Sequence, residues 1–269
     1  MKQLRNFSAL ILSLFCIFTF NNCKKNNDST LQLPPSSSLS MDFGFTTITK
    51  SASVSQTQVN HALALVTVKA WSDVAYNLTN IPSAAFKKAM ENNAPVYNDT
   101  NKDWEWTYTT TVGSDTYNSK LTGQLSGDSV QWKMYLSKVN DDNLQNFLWF
   151  QGTSHQARTG GWWILNYPTI SGNDLTSSPV LKITWSYTND KLISIKYLNV
   201  VENPDKGGYI EYGRKSNGSF DAYYTIYSKK ELKKYDIVWN ISTKAGQIRL
   251  NDVAIGCWDA NNEDIACTN

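Results

Sequence analysis

The chain changes its hydrophobic period twice. Phe7 to Phe20 is an unbroken apolar run, 14 residues long. Val54 to Leu78 then reads as a helix: Val59, Leu63, Val66, Ala70 and Val74 recur at helical spacing and form one stripe. Leu65, Val68, Trp71 and Ala75 carry apolar character further round the cylinder, which predicts a helix buried on most sides. Asn80-Ile81-Pro82 predicts a break, with Pro82 at the first position of a short second helix running to Glu91. From Trp104 onward the period is two. Trp104, Trp106 and Tyr108 alternate with polar residues, as do Val130, Trp132, Met134 and Leu136. The same holds for Leu181, Ile183, Trp185 and Tyr187, for Ile193, Ile195 and Tyr197, and for Ile237, Trp239 and Ile241. Strands with one buried and one wetter face give this pattern, most often in antiparallel sheets. Turn signals such as Gly113-Ser114-Asp115, Ser126-Gly127-Asp128 and Asn203-Pro204-Asp205 fall between them at hairpin spacing. Lys229 to Lys234 reads as a helical turn. The expected fold is mainly β (α+β): an N-terminal helix packed on a curled antiparallel meander or half-barrel of about ten strands.

The first apolar run is too short to span a bilayer, which takes about 20 residues. With Lys2 and Arg5 before it, it reads as a signal peptide. Asn21-Asn22-Cys23, at its end, resembles the lipobox of bacterial lipoproteins, with Asn22 and Phe20 where that family prefers a small residue and Leu. The resemblance implies that residues 1–22 are removed and that Cys23 becomes the acylated first residue, carrying palmitate-like chains that hold the protein on a membrane. An ordinary secretory signal or an uncleaved anchor are the other readings of the run. In the lipoprotein family, Lys24 directly after the cysteine implies the outer membrane, facing the periplasm or the cell surface.

Lys24 to Ser40 is rich in Ser and Asn and holds Pro34-Pro35. It reads as a spacer, because it has little apolar surface to offset the entropy of ordering. The expected organisation is therefore signal peptide (1–22), lipidated cysteine and flexible linker (23–40) and a single helix-plus-β domain (41–269). The formal charge of +2 disappears with Lys2 and Arg5. No basic patch of the kind nucleic acid requires is left. Once Cys16 leaves with the signal and Cys23 is acylated, Cys257 and Cys267 remain, and an oxidising compartment predicts a disulfide between them. Two buried thiols are the alternative.

The helix-on-meander outline resembles the half-barrel of lipoprotein carriers and receptors that move lipids across the periplasm, which implies an apolar ligand. The strings Trp104 to Tyr108, Gly160 to Trp163 and Gly208 to Gly213 resemble those of uncharacterised bacterial lipoproteins and bring no activity with them.

Candidate chemistry is sparse. His61 and His155 are the two histidines, and no Gly-x-Ser-x-Gly elbow accompanies them. Glu105 and Glu211, each among aromatic residues on a strand, are a carboxylate pair to weigh for glycoside hydrolysis; the simpler reading is a solvated strand face. Asp99-x-Asn101-x-Asp103 opens like a calcium loop, but Trp104 and Thr110 stand where glycine and glutamate are required. It and Asp259-x-Asn261-x-Glu263 read as polar turns. No catalytic residue, metal site or cofactor is expected. The aromatic load is high, with 10 Trp, 14 Tyr and 10 Phe, and some of these rings must point away from the core. Trp162 and Trp163 are adjacent, so they face opposite sides of a strand. Trp162, Trp163 and Tyr223 are the ligand-binding candidates, for a lipid, a glycan or a partner protein. A non-enzymatic binding or structural role is the leading expectation, and a glycan-acting hydrolase the alternative. A carrier predicts a cavity between helix and sheet; a glycan or protein binder predicts an exposed aromatic patch over a filled interior.

Overall fold

A computed structural model describes residues 31–40, 57–91, 94–171, 174–215 and 218–267. The stretch read as a signal peptide (1–22) and Cys23 lie outside these. Leu31–Asn269 forms one compact unit.

Among the described residues, helix α1 (Val59–Glu91) is followed by fourteen strands: β1 (Val96–Asn98), β2 (Asp103–Val112), β3 (Asp115–Ser126), β4 (Ser129–Lys138), β5 (Phe147–His155), β6 (Gly160–Ser171) and β7 (Asp174–Thr188) come first. Then come β8 (Lys191–Asn199), β9 (Tyr209–Arg214), β10 (Ala222–Ser228), β11 (Lys233–Trp239), β12 (Gly246–Leu250), β13 (Val253–Trp258) and β14 (Asp264–Ile265). Each strand pairs antiparallel with the next, in unbroken chain order. β1 and β14 are the edges, so the sheet is not closed. The mainly β meander is as the alternation implies. It has more strands than the ten expected, because β1 and β14 are too short to show a period and β5 buries Trp149 and Phe150 in succession beside a bulge at Met134/Tyr135. Lys229 to Lys234 is the β10–β11 turn and the start of β11 rather than a helical turn.

Inward rows run across the ladder. One reads Trp132, Gly152, Trp163, Ile183, Tyr197, Ile210 and Ile226. Glycine and indole alternate in it for a steric reason. A Cβ on Gly152 would sit 2.5 Å from Trp163 and 2.0 Å from the Trp162 carbonyl; one on Gly123 would sit 2.6 Å from Trp132, and one on Gly246 2.4 Å from Trp258. The strands spare the space that these indoles fill.

α1 crosses this inward face, with its N-terminal end at β13 and β14 and its Phe86 against Phe150 and Trp163. Two expectations about it are corrected. Pro82 lies inside one continuous helix and does not start a second. Loss of one backbone bond is tolerated because Thr79, Pro82, Ala85, Phe86 and Ala89 are all buried, so packing holds both halves in line. The stripe Val59, Leu63, Val66, Ala70 and Val74 faces outward, with Val66 62% exposed. Ala64, Val68 and Ala75 face the sheet instead. The first half of the helix meets this ring-rich face through small residues, and Phe86 adds a large ring further along.

The helix has no acidic residue in its first turn. Asp264 of β14 supplies the cap: its carboxylate accepts from the Val59 amide at 3.2 Å and the Asn60 amide at 2.9 Å. A negative charge here satisfies orphan donors and complements the helix dipole. Cys257 and Cys267 flank this element at disulfide distance, S–S 2.09 Å and Cα–Cα 5.3 Å.

The spacer expectation is corrected over Leu31–Ser40, which is packed against the domain. Ser38 and Leu39 are fully buried, and Leu31 and Leu33 pack on the core. The Trp163 indole N–H donates to Ser38 Oγ at 3.1 Å, Ser37 Oγ bonds the Tyr187 hydroxyl, and Ser83 Oγ donates to the Leu39 carbonyl at 2.9 Å. Three leucines and a buried proline among polar residues are enough to dock a segment when an aromatic surface is there to receive them.

Candidate functional site

The middle of α1 does not fill the space beneath it. A cavity of about 520 Å³ opens between its Thr67–Leu78 stretch and strands β7, β8, β10 and β11. That volume is within the range of small-molecule sites. Its walls are mostly apolar: Ala70, Trp71, Val74, Ala75 and Leu78 from the helix, and Val180, Leu181, Tyr197, Ile226 and Tyr235 from the sheet. Ala70 and Val74 also belong to the exposed helix stripe, so the apolar wall runs out to the surface.

The other wall of the mouth is polar and firmly built. Asn199 organises the β8–β9 loop: its Oδ1 accepts from the Val201 amide at 2.9 Å and its Nδ2 donates to the Asp205 carbonyl at 3.0 Å. Asp205 Oδ1 in turn accepts from Ser228 Oγ and the Lys230 amide, each at 3.0 Å, tying this loop to the β10–β11 turn. Deeper in, the Tyr197 ring lines the cavity while its hydroxyl is buried without a hydrogen-bond partner. Burial pushes this hydroxyl well above the ordinary tyrosine range. The Trp185 Nε1–H, on the adjacent strand and the same face, is also unpaired. An unmet buried donor costs about 1–3 kcal/mol, so two in one aromatic interior are an unusual concentration.

The three aromatic candidates do not form one site. Trp162 points outward, 38% exposed, with Lys182 Nζ 6.0 Å from its ring. Trp163 is corrected to a core residue: it is fully buried, and its N–H is taken by Ser38. Tyr223 is outward and half-buried, donating to Glu211 at 3.1 Å. Burial first, then the Glu211 charge, pushes its hydroxyl up to about 12. Trp162 on β6 and Tyr223 on β10 are four strand spacings apart, roughly 19 Å along the sheet.

The carboxylates and histidines do not converge either. Glu105 on β2 and Glu211 on β9 are seven strand spacings apart, roughly 34 Å along the sheet, and each is engaged by a lysine of the adjacent strand rather than by the other carboxylate. Glu105 pairs with Lys120 at 2.9 Å and Glu211 with Lys196 at 3.8 Å. The hydrogen bond from Lys120 is the chief cause that lowers the Glu105 pKa. His61 sits against the Trp258 ring, 5.3 Å between centroids, and His155 Nδ1 bonds Thr159 Oγ1 at 2.9 Å. The calcium-like strings are turns: Asn98 Oδ1 accepts from the Thr100 and Asn101 amides, and Asp259 Oδ1 from those of Asn261 and Glu263. Among the described residues, no group of three or more His, Cys, Asp or Glu is placed to hold a metal, and no helix is long and apolar enough to cross a membrane.

The cavity residues were not singled out in the sequence because they look like ordinary core. Ala70 and Ala75, opposite large rings, are the signal that was there to read. No family model, curated protein or solved structure matches the chain.

Proposed function

We propose that this chain is an envelope-anchored lipoprotein whose β domain holds an apolar small molecule between α1 and the sheet, in a binding rather than a catalytic role. The observation that carries the ligand reading is the cavity of about 520 Å³, apolar along the helix and open at an exposed stretch of it. It favours the carrier reading over that of an aromatic patch on a filled interior. The anchor rests on Lys2, Arg5, the apolar run and Cys23.

Two experiments address the two halves. Intact mass of the protein expressed in a bacterial host should equal residues 23–269 plus acyl chains, and Cys23→Ala should abolish the addition. A soluble, unacylated wild-type product would overturn the anchor. For the ligand, the domain purified without detergent should release an apolar molecule into organic solvent. Ala70→Trp, which places an indole at the mouth from an exposed helix position, should empty it without unfolding the domain. An equal yield from both proteins would count against this cavity.

A further inference from the structure

The edge of the cavity carries charge of one sign. Asp205 and Glu231 line it; no lysine or arginine does. Lysines are present on the same segments: Lys206 is held by Glu202 and Lys233 by Glu231 at 3.0 Å, while Lys229 and Lys230 of the β10–β11 turn do not line the cavity. Asp205 differs from Glu231 in two respects. Among the described residues it is in no ion pair, and it is fixed: its bonds from Ser228 and Lys230 both fall on Oδ1, so Oδ2 keeps its lone pairs. The same cavity is lined by three aromatic rings, Trp71, Tyr197 and Tyr235.

A fixed carboxylate at the edge of a cavity lined by aromatic rings is suited to an organic cation. The carboxylate accepts charge-assisted hydrogen bonds and the ring faces attract positive charge. A carboxylate or phosphate at the same place meets like charge, with no lining cation to offset it. We propose that the cavity takes an amphiphile whose polar end is an ammonium group, its chain between α1 and the sheet and the ammonium at Asp205. This rests on the cavity being a ligand site, and it adds the head-group chemistry.

The test uses residues 24–269, which retain the whole compact unit. Dodecylammonium, dodecanol and dodecanoate, each below its micelle threshold, are titrated by calorimetry at neutral pH. Dodecylammonium should bind about tenfold more tightly than dodecanoate, with dodecanol between them, and the spread should narrow as salt is raised. Asp205→Asn should bring the two charged probes to within about threefold. Since Asp205 also ties two loops together, Trp71→Leu gives a second reading: it should lower the preference for dodecylammonium over dodecanol while dodecanol still binds. Equal binding of the two charged probes by the wild type, or a preference for dodecanoate, overturns the head-group assignment and leaves the cavity reading standing. No binding of any probe by the folded chain removes the cavity reading, and this one with it.

Discussion

At the scale of single residues, the inward face is an arrangement of indoles over glycines. Gly152 is the tightest case, since a Cβ there meets both the Trp163 ring and the backbone of Trp162. Overpacking a close-packed interior costs about 1–3 kcal/mol. Gly152→Ala should therefore lower the unfolding free energy by an amount in that range, read as a lower urea midpoint at unchanged slope. Asp103 predicts the opposite sign. Its pKa is raised by burial and then by the Glu105 charge, and its Oδ1 is buried without a partner. A carboxyl group whose folded pKa exceeds its unfolded value weakens the fold wherever it is ionised. Asp103→Asn should raise Tm at pH 7, and the gain should shrink as the pH falls through the range where Asp103 takes up its proton. Thermal melts of both proteins from pH 7 to 4 check this.

At the scale of elements, α1 depends on the last strand of the sheet. An N-cap carboxylate contributes roughly 0.5–2 kcal/mol, so Asp264→Ala should cost about 1 kcal/mol. Asp264→Asn should recover part of that, as an amide oxygen still accepts. Hydrogen exchange should show the first turn of α1 opening before the rest. His61, two residues into the helix, adds a pH response. Burial lowers its pKa below 6.5, so the unfolded chain binds the proton more tightly than the folded one. The sign follows: this contribution is intact above the unfolded pKa and is lost as the pH falls through it. The urea midpoint should drop between pH 7.5 and 5.5, and His61→Gln should flatten that part of the profile.

At the scale of the whole molecule, fourteen strands in chain order make every neighbour local, and α1 is the element that spans them. The Cys257–Cys267 link holds the far edge, where β14 grips the helix. Closing a loop with a sequence separation of 10 corresponds to roughly 2.5–3 kcal/mol in the chain-entropy account. Reductant should therefore lower stability by about that much and weaken the α1 cap with it. Denaturant curves with and without reductant, repeated on Asp264→Ala, should show the two losses to be less than additive, because both act through β14.

Sequence by itself determined the features that depend on near neighbours along the chain. The two-residue period of Val130 to Leu136 and of Leu181 to Tyr187 set which of those side chains face inward, since a strand's faces alternate whatever it packs against. The turn residues set where the strands reverse, and the long apolar period announced the helix. Tertiary structure alone decided questions whose answer lies on a distant surface. Trp162 and Trp163 are equally apolar phases of one strand, and Trp163 went inward because Gly152 on the next strand left room for it. Both sides of the first half of α1 are apolar, and the side with Ala64, Val68 and Ala75 met the sheet because small residues bring the helix close to its rings. Leu31–Ser40 docked because an aromatic interior was there to take Leu39 and to bond Ser38. The cavity is of the same kind: it is the volume left between the Thr67–Leu78 stretch of α1 and strands β7, β8, β10 and β11, and no residue's own pattern records a space between two elements.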